Sequence, residues 1–161
     1  MFNRRLAAAL PLTAFGLLTA ACATTGSSAP PTDIEEESRI VDAFLAAYRN
    51  RDVDAAMALM SENVYFEDPT MHLAAQNREE LRAITQQGAD GFSEIRITPF
   101  NRIHASPWII LQQRIAGNIR RPDGQARAVD VQGLSMFEIR EAKIVRWYDY
   151  YDVLAFRQQT R

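Results

Sequence analysis

The strongest constraint on the fold is a succession of four strand-like runs in the C-terminal half: SEIRITPFNRI from Ser93, WIILQQRIAGNIR from Trp108, ARAVDVQGLSMFEIR from Ala126 and KIVRWYDYY from Lys143. Each carries β-branched and aromatic residues, which fit a pleated surface. Pro122-Asp123-Gly124 is a turn signal between the second and third runs, and Glu141-Ala142 a weaker one before the fourth. Strands joined by such short connections pair antiparallel, which commits these residues to one sheet. In the third run Val129, Val131, Gly133, Ser135, Phe137 and Ile139 share a face, which is predicted to meet helices. The second run is apolar on both faces, with Trp108 and Ile110 opposing Ile109 and Leu111. That predicts helices over one side of the sheet and a second copy of the chain, a homodimer, over the other.

The helices lie upstream. Thr32 with Glu35 is a capping-box pair, and Ile40, Val41, Phe44, Leu45 and Tyr48 then recur at helical spacing. Asp52 caps a second helix carrying Val53, Ala56, Met57, Leu59 and Met60, with Asn63 at its end. Val64 to Glu67 reads as a short strand stopped by Asp68-Pro69, followed by a loop. Asn77 and Glu80 cap a third helix through about Gln87, with Leu81 and Ile84 buried and Gly88 and Gly91 marking the exit. A short helix after Asp152 completes an α+β layer architecture in a single domain, 32–161.

Within the fourth run, alternation sets Val145, Trp147, Asp149 and Tyr151 on one side. A carboxylate among apolar and aromatic neighbours is paired, protonated or held for chemistry, because leaving water unsatisfied is costly. Asp149 is therefore the first candidate for a working residue, against the alternative of an acid tied to backbone amides or an Arg. Asp68 divides in the same way, between a proton-transfer group and the ordinary Asp that ends a strand before proline.

A formal net charge of −2 argues against nucleic-acid binding, which needs a basic stripe. Cys22 is the only cysteine, and His72 and His104 are the only histidines. No metal-ligand spacing surrounds them, so no metal and no cofactor are expected. Residues 1–22 carry Arg4 and Arg5, then an apolar run from Leu6 to Ala21, the pattern of an export signal. Leu18-Thr19-Ala20-Ala21-Cys22 resembles the lipobox of bacterial lipoproteins, with Thr19 where Leu is most common. The resemblance implies lipidation of Cys22 and a membrane contact through that anchor alone. With Ala23 following the Cys, it implies the periplasmic side of a bacterial outer membrane. Residues 23–31, ATTGSSAPP, suit a flexible tether.

The element order, the stretch IVDAFLAAYRNRDVDAAMALMSENVYFEDP and the ending FEIREAKIVRWYDYYD together resemble the nuclear transport factor 2-like superfamily. That group includes SnoaL-like polyketide cyclases, ketosteroid isomerases and limonene-1,2-epoxide hydrolases. The resemblance implies a cone-shaped α+β barrel, in which a curved antiparallel sheet carries three helices on its concave face around a pocket. Trp147 to Asp152 resembles the W-R-D-Y-F-D ending of the epoxide hydrolases, whose first Asp activates water; Asp149 holds that place. The family's Arg-x-Asp corresponds to Arg114 and Ala116, so its proton-donating acid is absent, and its water-holding Tyr and Asn correspond to Phe66 and Asp68. Glu67-Asp68-Pro69 matches the isomerases' run with the proton-shuttling Asp, while their oxyanion-hole Tyr and Asp correspond to Phe44 and Ser135. Combining the two fragments, Asp68 and Asp149 are expected to face each other near Arg114 and share a proton. Phe44, Phe66, Val131, Ser135, Phe137 and Trp147 are the expected pocket residues, and the expected partner is a small hydrophobic molecule. Catalysis and a non-catalytic binding module both remain open.

Overall fold

The computed structural model describes residues 34–121 and 124–161. The export signal, Cys22, the tether, the Thr32 cap and Pro122-Asp123 lie outside the described residues. Ten elements follow in the order α1 (Ile34–Arg49), α2 (Val53–Ala58), β1 (Met60–Asp68), β2 (Leu73–Ala75), α3 (Arg78–Gly91), β3 (Phe92–Ala105), β4 (Trp108–Arg120), β5 (Ala126–Arg140), β6 (Lys143–Tyr151) and α4 (Val153–Thr160). The six strands form one sheet in the order β2-β1-β6-β5-β4-β3. The six strands pair antiparallel within two groups, β2-β1 and β6-β5-β4-β3, and β1 runs parallel to β6 where the groups join, so the sheet is mixed where an antiparallel one was expected.

Local signals placed the helices. Asp52 accepts from the Ala55 N–H at 2.9 Å and opens α2. Asn77 accepts from the Glu80 N–H at 2.9 Å, and the Glu80 carboxylate reaches back to the Gln76 N–H at 2.8 Å, which fixes the start of α3. Asp152 caps α4 through the Ala155 N–H at 2.9 Å. Ile40, Val41, Phe44 and Leu45 bury the inner face of α1 against Ile109, Leu111, Phe137 and Ile139 of the sheet.

Four expectations are corrected. α2 stops at Ala58, and Met60 is already in β1, opposite Ile144 of β6. Leu59 C=O accepts from Ile144 N–H at 2.9 Å, so strand pairing ends the helix five residues before Asn63. The loop after Asp68 contains β2, paired antiparallel to β1. α3 continues through Gly88 to Gly91. Finally, the β5–β6 register shifts between Glu138 and Ile139, leaving Val145 as an extra residue that flips the parity of β6. Ile144 is fully buried as a result and Val145 only half-buried, while Trp147, Asp149 and Tyr151 keep the inward side.

Candidate active site

Trp147 is the centre of the inner surface because strand pairing sets large rings on both sides of it. Its register partners are Phe66 on β1 and Phe137 on β5, and the ring centroids lie 4.5 and 6.1 Å from the indole. Phe44 closes from α1 at 4.9 Å, and Tyr48, one turn later, at 6.2 Å. These rings wall a cavity of about 440 Å³ between the sheet, α1, α3 and α4. Its other walls include Ile95, Ile97, Val131 and Phe156. The polar side chains reaching it include Tyr48, Asp68, Gln113, Ser135, Asp149 and Tyr151.

Asp149 sits on β6 directly opposite Ser135 of β5. The Ser135 hydroxyl donates to Asp149 Oδ1, and Gln113 Nε2 donates to Ser135 Oγ at 2.6 Å. Gln113 and Ser135 are 2% and 1% exposed, so this chain of donors is buried. With Oδ1 occupied, Asp149 Oδ2 is the oxygen left for a ligand or a proton. Asp149 itself is half-buried, since the cavity reaches it from one side. Burial pushes its carboxyl up to about 7; Ser135 pulls against this, and the negative charge of Asp68 adds to it. The Trp147 indole nitrogen has no partner at hydrogen-bond geometry, yet lies close enough to Asp149 to favour the charged form. Tyr48 and Tyr151 are pushed well above the usual phenol range by burial and by the two acids, so both remain neutral donors.

Asp68 and Asp149 do line one cavity, close enough to interact. Asp68, however, also carries out the ordinary task of a strand-ending Asp. Its Oδ1 accepts from Thr70 N–H at 2.9 Å, from Met71 N–H at 3.0 Å and from the Thr70 hydroxyl. Phe44, Phe66, Val131, Ser135, Phe137 and Trp147 all line the cavity.

Arg114 does not join them. On β4 it is Ile109, Leu111 and Gln113 that turn inward, so Arg114 points out of the opposite face, where it pairs with Asp130. Its side chain is 61% exposed. Ala116 is the register partner of that same Asp130. The expected meeting of Arg114 with the two acids is thus corrected by strand parity. The polar cavity residues that were missed include Tyr48, Gln113 and Tyr151. Tyr48 had a signal, because a Tyr on a buried helical stripe needs somewhere to send its hydroxyl. Gln113 had none, since Gln112 beside it is the same residue type on the opposite face. His72 and His104 are exposed, and among the described residues no group of three acids, His or Cys could hold a metal.

Residues 41–147 match the family model of the SnoaL-like domain. No curated protein matches the chain. Among solved structures, a candidate SnoaL-like polyketide cyclase from Shewanella denitrificans superposes with a TM-score of 0.71 at 12% identity, over 77% of this chain and 96% of that one. A candidate polyketide cyclase from Xanthomonas campestris gives 0.71 at 18% identity, over 79% and 98%. An LEH-like epoxide hydrolase of M. tuberculosis gives 0.66 at 20% identity, over 79% and 91%. At such identities these likenesses establish the fold.

Proposed function

The chain belongs to the SnoaL-like domain family, and on that premise we propose that it is a proton-transfer enzyme in which Asp149 is the general base. The observation that carries this reading is a carboxyl raised to about 7, set in an apolar cavity of about 440 Å³ with one oxygen unengaged. A base of that strength is half-ionised near neutrality, where a general base and its conjugate acid are both available. The neutral phenols of Tyr48 and Tyr151 supply donors in the same chamber. A base facing hydroxyl donors suits removal of a proton from carbon next to a carbonyl, with the donors stabilising the enolate oxygen. The proton would rest on Asp149 Oδ2 and return to carbon or oxygen of the same molecule. Epoxide opening is less well supported: Arg114 lies on the outer face and Ala116 offers no acid.

Exchange of deuterium from solvent into small cyclic ketones and β-diketones, followed by proton NMR, tests the reading without knowledge of the natural substrate. The wild type should catalyse exchange for at least one member, and Asp149→Asn should lose about a hundredfold or more of that rate. Equal rates in the two would remove Asp149 from the mechanism. Thermal stabilisation by the same compounds without any exchange would instead favour a binding module of the same fold.

We also place the enzyme on a membrane anchor, on the support of the Leu18 to Cys22 sequence alone. In a bacterial host, a fatty-acid label should enter the wild type and be absent from Cys22→Ser. Equal labelling of both would exclude that anchor.

A further inference from the structure

The cavity has an imbalance of charge that an apolar substrate alone does not explain. Two carboxyls, Asp68 and Asp149, line it, and among the described residues no Lys, Arg or His does. Gln113, 2% exposed, also lines it and leaves Oε1 without a partner. One unsatisfied acceptor and two carboxyls without a cationic partner therefore share a chamber whose walls include the rings of Trp147, Phe66, Tyr48 and Phe44. Aromatic faces attract cations, and more strongly where water is excluded. A buried acceptor without a donor, and a carboxylate without a counter-charge, are both costly states that a donor-bearing cation relieves.

We propose that the ligands of this cavity are apolar compounds carrying a protonated primary or secondary amine, with the nitrogen held between Asp149 and Asp68 against the Trp147 and Tyr48 rings. This rests on reading Asp149 as the working group of the cavity, and it names the substrate class of that site. An amine carries N–H donors for the carboxylates and for Gln113, whereas an alcohol of the same shape carries one donor and no charge. Binding is linked to the protonation of Asp149. The groups facing that carboxyl are Tyr48 from α1, Asp68 from β1, Gln113 from β4, Ser135 from β5 and Tyr151 from β6. The two phenols remain neutral through physiological pH. As pH rises through about 7, Asp149 ionises and the cation gains its counter-charge.

Calorimetric titration of the full chain with cyclohexylmethylamine and with cyclohexylmethanol, the neutral compound of the same skeleton, tests this. At about pH 8 the amine should bind at least about tenfold more tightly than the alcohol, and the ratio should fall severalfold by about pH 6. Asp149→Asn should lower the ratio at about pH 8 by threefold or more. A wild-type ratio near one, or no binding of either compound, overturns the proposal. So does a ratio that neither pH nor the variant changes, because the amine is then bound outside the cavity. The wild-type pH series needs no variant to fold. The exchange assay above is read on neutral ketones, so a failed amine preference leaves proton transfer by Asp149 standing, and loss of exchange does not decide the amine.

Discussion

At the scale of single residues, the cavity sets Asp149 against its own ionisation. The folded chain holds the carboxyl at about 7, above the ordinary carboxylate value of 3.8, so the native state binds more protons than the unfolded state between those values. Stability attributable to this group is complete at low pH and is lost as pH rises through about 7. With full desolvation the loss is on the order of 4 kcal/mol. Asp149→Asn should therefore flatten the fall in stability across this window, apart from a constant offset, as urea unfolding at a series of pH values would read. A parallel slope in wild type and variant would mean that the carboxyl is solvated. Ser135 acts on the same equilibrium from the other side, because its hydroxyl donates to the charged form. Removing that donor in Ser135→Ala should raise the Asp149 carboxyl further and move the acid limb of the exchange rate to higher pH. An unmoved limb would remove Ser135 from the proton chemistry.

At the scale of elements, two glycines show how close the packing around the cavity is. Gly88 lies inside α3, where Ala would ordinarily add up to about 1 kcal/mol. A methyl there would stand 3.1 Å from the Tyr48 hydroxyl, which must give by a few tenths of an ångström. Gly88→Ala should hold or raise the melting temperature while lowering the exchange rate, and a rate equal to wild type would show that the phenol's position is immaterial. Gly117 faces a harder obstacle, since a methyl on β4 would fall 2.2 Å from the Glu94 carbonyl oxygen of β3. Gly117→Ala should cost roughly 2–3 kcal/mol in denaturant unfolding, and a neutral effect would mean that β3 and β4 separate easily there. Elements written in local signals were legible in the sequence: the caps at Asp52 and Asn77, the short helix after Asp152, and the alternation of β5. What the sequence did not disclose was set by a partner strand. Met60 is strand because Ile144 pairs with it, and Val145 is an extra residue only relative to the β5 register.

Across the whole molecule, the sheet separates two chemistries. Its inner face holds Asp149, Ser135 and Gln113 among aromatic rings, and its outer face carries exchanges of charge such as Arg114 with Asp130. The composition of β4, apolar on both sides, hid which of Gln113 and Arg114 faced inward, and this is why the resemblance to epoxide hydrolases assigned Arg114 to the acids. Arg114→Ala should leave the exchange rate unchanged and alter stability by no more than about 1 kcal/mol, as expected for an exposed pair. A large loss of rate would place the guanidinium back at the site. The polar residues of the cavity thus differ from both the hydrolase and the isomerase patterns, and it is the strand register that turns Asp149 toward it. The most direct measurement is the titration of the Asp149 side-chain carboxyl carbon by NMR, assigned by its absence in Asp149→Asn. A midpoint near 7 is the result that a carboxyl enclosed in this chamber requires, and a midpoint near 4, as for a carboxyl in water, would contradict it.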